Sequence, residues 1–86
     1  MEKLWTDDAW DEYLYWQAHD KKTLKRINAL IKGIERNGAD NGIGKPERLK
    51  RQPSWSRRID EKNRLTYRID EIGALHILSC KGHYED

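Results

Sequence analysis

The chain has 86 residues, 36% hydrophobic and 37% charged, with a formal net charge of +2. Such a length holds one domain, domains beginning at roughly 50 residues, and a chain this short buries only about 60% of its unfolded surface. No apolar run approaches the ~20 residues of a membrane span, no signal-peptide pattern opens the chain, and the single cysteine, Cys80, excludes an internal disulfide. The reading is one reduced, cytoplasmic domain over residues 1–86. Its core leans on four Trp and four Tyr, with Cys80 a buried thiol rather than a reactive one.

Lys3-Leu4-Trp5-Thr6 reads as a short edge strand. Thr6 is placed to cap the helix that follows, and Asp7 and Asp8 suit its positive end. In that helix Trp10, Tyr13, Leu14 and Gln17 recur at i, i+3, i+4 and i+7 with Trp16 beside them, a stripe expected to face the core. Asp20 caps a second helix, Lys21 to about Arg36, striped by Leu24, Ile27, Leu30, Ile31 and Ile34. The two make an αα-hairpin whose apolar faces must close on a sheet. Residues 37–44, NGADNGIG, are turn chemistry throughout and form a loop. Pro46 then makes Lys45–Lys50 a strand start or sheet edge, and Arg51–Ser54 turns the chain.

The last third reads as three strands. Trp55–Asp60 alternates in part. Arg64–Asp70 alternates cleanly, with Leu65, Tyr67 and Ile69 on one face and Arg64, Thr66 and Arg68 on the other. Ala74–Cys80 is a continuous apolar run, expected to be covered on both sides. A three-residue loop Glu61-Lys62-Asn63 sets Asp60 against Arg64 and Arg58 against Thr66, which brings Arg58 to the Arg64 face. A two-residue turn Ile72-Gly73 sets Arg64 against Lys81 and brings His83 to the same face, at the cost of placing Leu75 and Ile77 there too. The expected fold is α+β, order β-α-α-β-β-β-β, with two helices on a mostly antiparallel, twisted sheet.

Charge is unevenly spread. Residues 1–20 carry one Lys against six acids (−5), residues 21–68 fifteen Lys and Arg against five acids (+10), and residues 69–86 one Lys against four acids (−3). A basic middle between acidic ends fits either a polyanion partner or an ordinary solvated helix. Metal-ligand spacing is absent, because His19, His76 and His83 are scattered and there is one Cys. No cofactor motif occurs either. His19, at a helix end, suits the negative dipole, and His76 reads as a satisfied core or surface histidine. An acid–base set remains, Glu47, Arg58, Arg64 and His83, with Lys45, Lys50 and Tyr84 close in sequence. RNA carries its own nucleophile, so a carboxylate, cations and an imidazole suffice to cleave it, and Tyr84 could stack a base.

The blocks LWTDDAWDEYLYWQ, GKPERLK, WSRRIDEKNRLTY and CKGHY, in this order from Leu4 to Tyr84, resemble the YoeB/Txe toxins of the RelE superfamily. That resemblance implies a toxin of a bacterial type II toxin–antitoxin system. It further implies a ribosome-dependent endoribonuclease that cleaves mRNA in the A site without a metal and is neutralised by a YefM-type antitoxin. The partners are then the antitoxin, the ribosome and mRNA, and operator DNA only as a complex with antitoxin; a homodimer is also allowed, and a membrane is not involved. By position the resemblance assigns the general base to Glu47, the phosphate-binding cations to Lys50, Arg58 and Arg64, the general acid to His83, and the base-orienting aromatic to Tyr84. The chain departs from the family at Arg48, where a neutral residue is usual, in loop 37–44, and in Glu85-Asp86 beyond the usual Tyr ending. Two carboxylates beside His83 would raise its pKa. The competing reading is a non-catalytic RNA- or operator-binding module on the same basic face. A third is an interaction protein whose groove holds a partner helix.

Overall fold

Two side-chain caps set the helical half of the chain. In this computed structural model, which describes residues 1–82, strand β1 (Lys3–Trp5) ends at Thr6. The Thr6 oxygen accepts from the Ala9 N–H at 3.0 Å, opening helix α1 (Asp7–His19). The same hydroxyl donates to the Leu78 carbonyl at 3.0 Å, so the cap is tied to the sheet. One residue, Asp20, separates α1 from α2 (Lys21–Asn37). Its carboxylate accepts from the Thr23 N–H at 3.1 Å and from the Thr23 hydroxyl at 2.8 Å, which holds its pKa below the usual carboxylate value.

Helix α2 buries Ile27, Leu30, Ile31 and Ile34, with Leu24 partly covered, as its stripe predicts. Helix α1 is turned away from expectation. Trp10 and Leu14 are 46% and 40% exposed, and the buried positions are Ala9 and Trp16. Residues 9, 12, 13 and 16 repeat at helical spacing as well as 10, 13, 14 and 17 do, and polar bonds decide between the two faces. The Trp16 indole N–H donates to the Cys80 carbonyl at 2.9 Å, and the Glu12 carboxylate accepts from the Cys80 N–H at 2.7 Å. Trp10 instead joins Trp5 and Tyr13 in a ring cluster at the surface, 5.6 and 5.8 Å from them. His19 stands in the last turn of α1 with Nδ1 at 2.8 Å from the Tyr15 carbonyl, as a residue suited to that dipole end should.

The remaining strands are β2 (Glu47–Arg48), β3 (Trp55–Arg58), β4 (Arg64–Ile69) and β5 (Leu75–Ser79). They form a sheet of order β1-β5-β4-β3-β2, antiparallel except for β1 beside β5. The expected α+β order is the observed one. Strand β2, after Pro46, lies at the sheet edge and is only two residues long. The core between helices and sheet holds Leu65, Tyr67, Leu75, Ile77 and Cys80 together with Ala9 and Trp16 of α1 and the buried stripe of α2. Burial pushes the Cys80 thiol up to about 12, an inert packing group.

Both expected registers need correction. Arg58 pairs with Arg64, not Thr66, because the β3–β4 loop has five residues rather than three. Asp60 builds that loop: its carboxylate accepts from the N–H groups of Lys62 and Asn63, both at 2.8 Å, and from the Asn63 amide. Burial raises its pKa, but those donors outweigh burial and leave it depressed. A slip of two residues keeps every side chain on its face, so Arg58 still joins Arg64. At the β4–β5 end the turn is Glu71–Gly73, closed by Asp70 N–H to the Ala74 carbonyl at 2.9 Å. Arg68 therefore faces His76, and Tyr67 faces Ile77, which returns Leu75 and Ile77 to the core. A bulge between Thr66 and Tyr67 then restores the expected parity, with Thr66 opposite Ser79 and the Arg64 N–H donating to Gly82 at 2.9 Å. Strand β5 is buried on its helix side only; His76, Leu78 and Ser79 are half-buried on or beside the other.

Candidate active site

The sheet face turned away from the helices carries a row of directly paired residues: Glu47 opposite Ser56, Ser56 opposite Thr66, and Thr66 opposite Ser79. Paired residues point to the same side, so all four share this face. Arg58 and Arg64 pair in the row above. Glu47 is thus brought to the two arginines, although Glu47 and Arg64 are 17 residues apart in sequence. The Arg64 side chain leans back over the lower row. Its Nε–H donates to the Ser56 hydroxyl at 3.0 Å, and its Nη2 lies 3.7 Å from Glu47 Oε2. The arginine side chain is 13% exposed and the glutamate 66%, so the cation is held in place while the carboxylate stays open to a reactant.

Like charges directly opposite one another destabilise a strand pair. Here Arg58 and Arg64 are held together, with Glu47 the carboxylate within ion-pair range of Arg64 among the described residues. Two cations side by side on one face, with a single carboxylate near them among the described residues, leave this part of the sheet net positive. Arg58 is exposed, and the Arg26 guanidinium donates to its carbonyl at 3.2 Å. Lys50 is exposed just past β2. His83, Tyr84 and the Glu85-Asp86 extension lie outside the described residues. Arg48 points to the face opposite Glu47 and stacks on Trp55 with its guanidinium 5.8 Å from the ring, so this departure does not crowd the site. His76 lies farther along the same sheet face, between Asp70 Oδ2 at 2.8 Å and Arg68 Nη2 at 3.4 Å. It is a satisfied histidine, as expected.

Sequence reasoning set Thr66 on this face but gave neither it nor Ser56 a role, although alternation from Arg58 puts Ser56 there as well. Ser56 orients Arg64. Thr66 is 2% exposed, and both its hydroxyl and Arg64 Nη2 are buried without a hydrogen-bond partner among the described residues. An unpaired buried hydroxyl costs about 1–3 kcal/mol relative to a satisfied one, and an isosteric methyl removes that cost. Thr66→Val is therefore expected to raise the melting temperature by a few degrees (~1 kcal/mol is worth about 4–8 °C in a domain this small). A drop in melting temperature, read by circular dichroism, would mean that the hydroxyl is partnered in solution.

A family model described as the YoeB-like toxin of bacterial type II toxin–antitoxin systems matches residues 5–84. The toxin YoeB of Synechocystis sp. is 51% identical over 87 residues, covering 99% of each chain. A chain of the heterotetrameric YoeB–YefM toxin–antitoxin complex from Staphylococcus aureus superposes with a TM-score of 0.89 at 45% identity, covering 98% of both chains. The structure of the YoeB dimer from Staphylococcus aureus gives a TM-score of 0.91 at 45% identity, with the same coverage.

Proposed function

Because this chain belongs to the YoeB-like toxins of bacterial type II toxin–antitoxin systems, we propose that it acts as a ribosome-dependent endoribonuclease on A-site mRNA. The observation that carries the reading is the placement of Glu47, 3.7 Å from Arg64, on an open sheet face where Arg58 stands opposite Arg64. Glu47 is the general base that takes the proton from a ribose 2′-hydroxyl. The freed oxygen attacks the adjacent phosphorus, Arg64 stabilises the charge that gathers on the phosphoryl oxygens, and Arg58 and Lys50 hold the message through its phosphates. The bond to the 5′-oxygen breaks as His83 donates a proton to it, leaving a 2′,3′-cyclic phosphate and a 5′-hydroxyl. Tyr84 stacks the base beside the scissile bond. A carboxylate suffices as the base when the ribosome bends the message into line and geometry supplies most of the acceleration.

The partners follow the same relatives. A YefM-type antitoxin neutralises the toxin, as the Staphylococcus aureus YoeB–YefM complex supports, and the dimer from that organism supports self-association. The antitoxin segment that covers the basic face is expected to be acidic and amphipathic.

The test is a primer-extension map of mRNA on programmed ribosomes incubated with purified toxin. A single stop within the A-site codon, with cyclic phosphate at the new 3′ end, is expected. Message that is bound but uncut makes this a binding module instead.

A further inference from the structure

We propose that Arg57 is a positioning residue for Glu47: buried behind the open face, it gathers the carbonyls of the 38–43 loop and so fixes where the chain delivers Glu47 to Ser56 and Arg64. The kinetic consequence rests on the nuclease reading above; the placement of Glu47 does not.

Strand β3 is two-sided. Ser56 and Arg58 point into the candidate site, whereas Arg57 points toward the helices and is 0% exposed. No carboxylate pairs with it among the described residues, and a buried charge without a partner is costly. Its donors go to the loop instead. Nη1 donates to the Ile43 carbonyl at 2.9 Å, and Nη2 to the carbonyls of Gly38 and Asn41 at 2.8 and 2.7 Å. Nε donates to the Tyr67 hydroxyl at 2.8 Å, and that hydroxyl donates to the Ala39 carbonyl at 2.6 Å. One guanidinium and one phenol therefore take up four loop carbonyls.

The loop is pressed onto this arginine. A Cβ on Gly42 would lie 2.9 Å from Arg57 Nη1, and one on Gly44 would lie 3.1 Å from Arg57 Cβ and 2.6 Å from Leu30. The Gly44 carbonyl then accepts from the Arg58 N–H at 2.6 Å. From there the path to Glu47 has little freedom: Lys45 sits in the left-handed region at φ 51°, and proline fixes φ at Pro46. Two residues of edge strand cannot hold their own register, since strands usually run to about 5–6 residues. The anchor is therefore the upstream 38–43 loop, held in place by Arg57.

Two variants and a control test this. Arg57→Lys keeps the charge but has one compact ammonium that cannot span carbonyls spread along the loop. Tyr67→Phe removes one hydroxyl and keeps the ring; Ile72→Ala, at the exposed far turn, is the control. In Tyr67→Phe, amides 38–44 are expected to exchange roughly tenfold faster with solvent while circular dichroism stays native. The Glu47 side-chain carboxyl carbon resonance is expected to move in both variants and not in the control. On programmed ribosomes kcat is expected to fall about tenfold with KM within about twofold. Unchanged loop exchange, an unmoved Glu47 resonance, or an unchanged kcat in a cleaving protein overturns the proposal. If Arg57→Lys fails to fold, Tyr67→Phe decides by the same criteria. If Glu47 moves but the wild-type protein cuts nothing, the positioning role stands and the nuclease reading falls.

Discussion

Replacing Arg64 with Gln is expected to lower mRNA cleavage on programmed ribosomes about 100- to 1,000-fold, the usual cost of removing one preorganised charge-stabilising donor. Arg64 is the cation whose place is best fixed. Ser56 accepts from Nε at 3.0 Å, and the side chain is only 13% exposed, so the guanidinium does not have to be organised when substrate arrives. The variant should stay folded, because Gln retains a donor and the core lies on the other face of β4. Ser56→Ala should give a smaller loss, about tenfold, since it frees Arg64 without removing its charge. Arg58→Gln should act mainly on binding and its salt dependence, because that side chain is exposed and meets a polyanion in high dielectric. Single-turnover rates at saturating ribosome separate these effects. Equal losses for the Arg58 and Arg64 variants would mean that the two cations act only as a diffuse charge.

What could be read in advance depended on how local each determinant is. Thr6 and Asp20 cap helices through bonds that span three residues, and both were legible from residue type. The Ile27, Leu30, Ile31 and Ile34 stripe was legible because α2 offers one apolar face; α1 offers two, and the bonds from Trp16 and Glu12 to Cys80, far along the chain, choose between them. Register failed for a similar reason. The Asp60 and Asp70 carboxylates lengthen both hairpin turns by collecting backbone N–H groups, and alternation alone does not reveal turn length. Parity nevertheless survived, by a slip of two in one hairpin and a bulge in the other, so Arg58 and Arg64 were rightly placed on one face. Arg57 was invisible. Its sequence neighbour Arg58 makes the pair look like one basic patch, and only the loop folding back over β3 shows that one of the two is spent on structure.

A message carrying a single 2′-deoxy nucleotide at the cut site is expected to bind the toxin–ribosome complex normally and yield no product. The proposed set contains no side-chain nucleophile: Glu47 is a base, the arginines are cations and His83 is an acid. Cys80, the one thiol, is fully buried with its pKa pushed up to about 12, so it cannot serve. Ser56 and Thr66 carry hydroxyls on the same face but are 1% and 2% exposed, so the attacking oxygen comes from the substrate or from water. Glu47 is 66% exposed and 3.7 Å from Arg64, open enough to reach a ribose hydroxyl beside a phosphate held by that arginine. Removing that one oxygen leaves the phosphate contacts and base stacking intact, so affinity should hold within about threefold while cleavage falls below detection, the pattern of an interaction used only in the transition state. The assay pairs primer extension with filter binding on ribosomes programmed with deoxy or ribo message. A cut in the deoxy message, or product bearing a 5′-phosphate, would make water the nucleophile, and Glu47 would then have to activate that water on the far side of the phosphate.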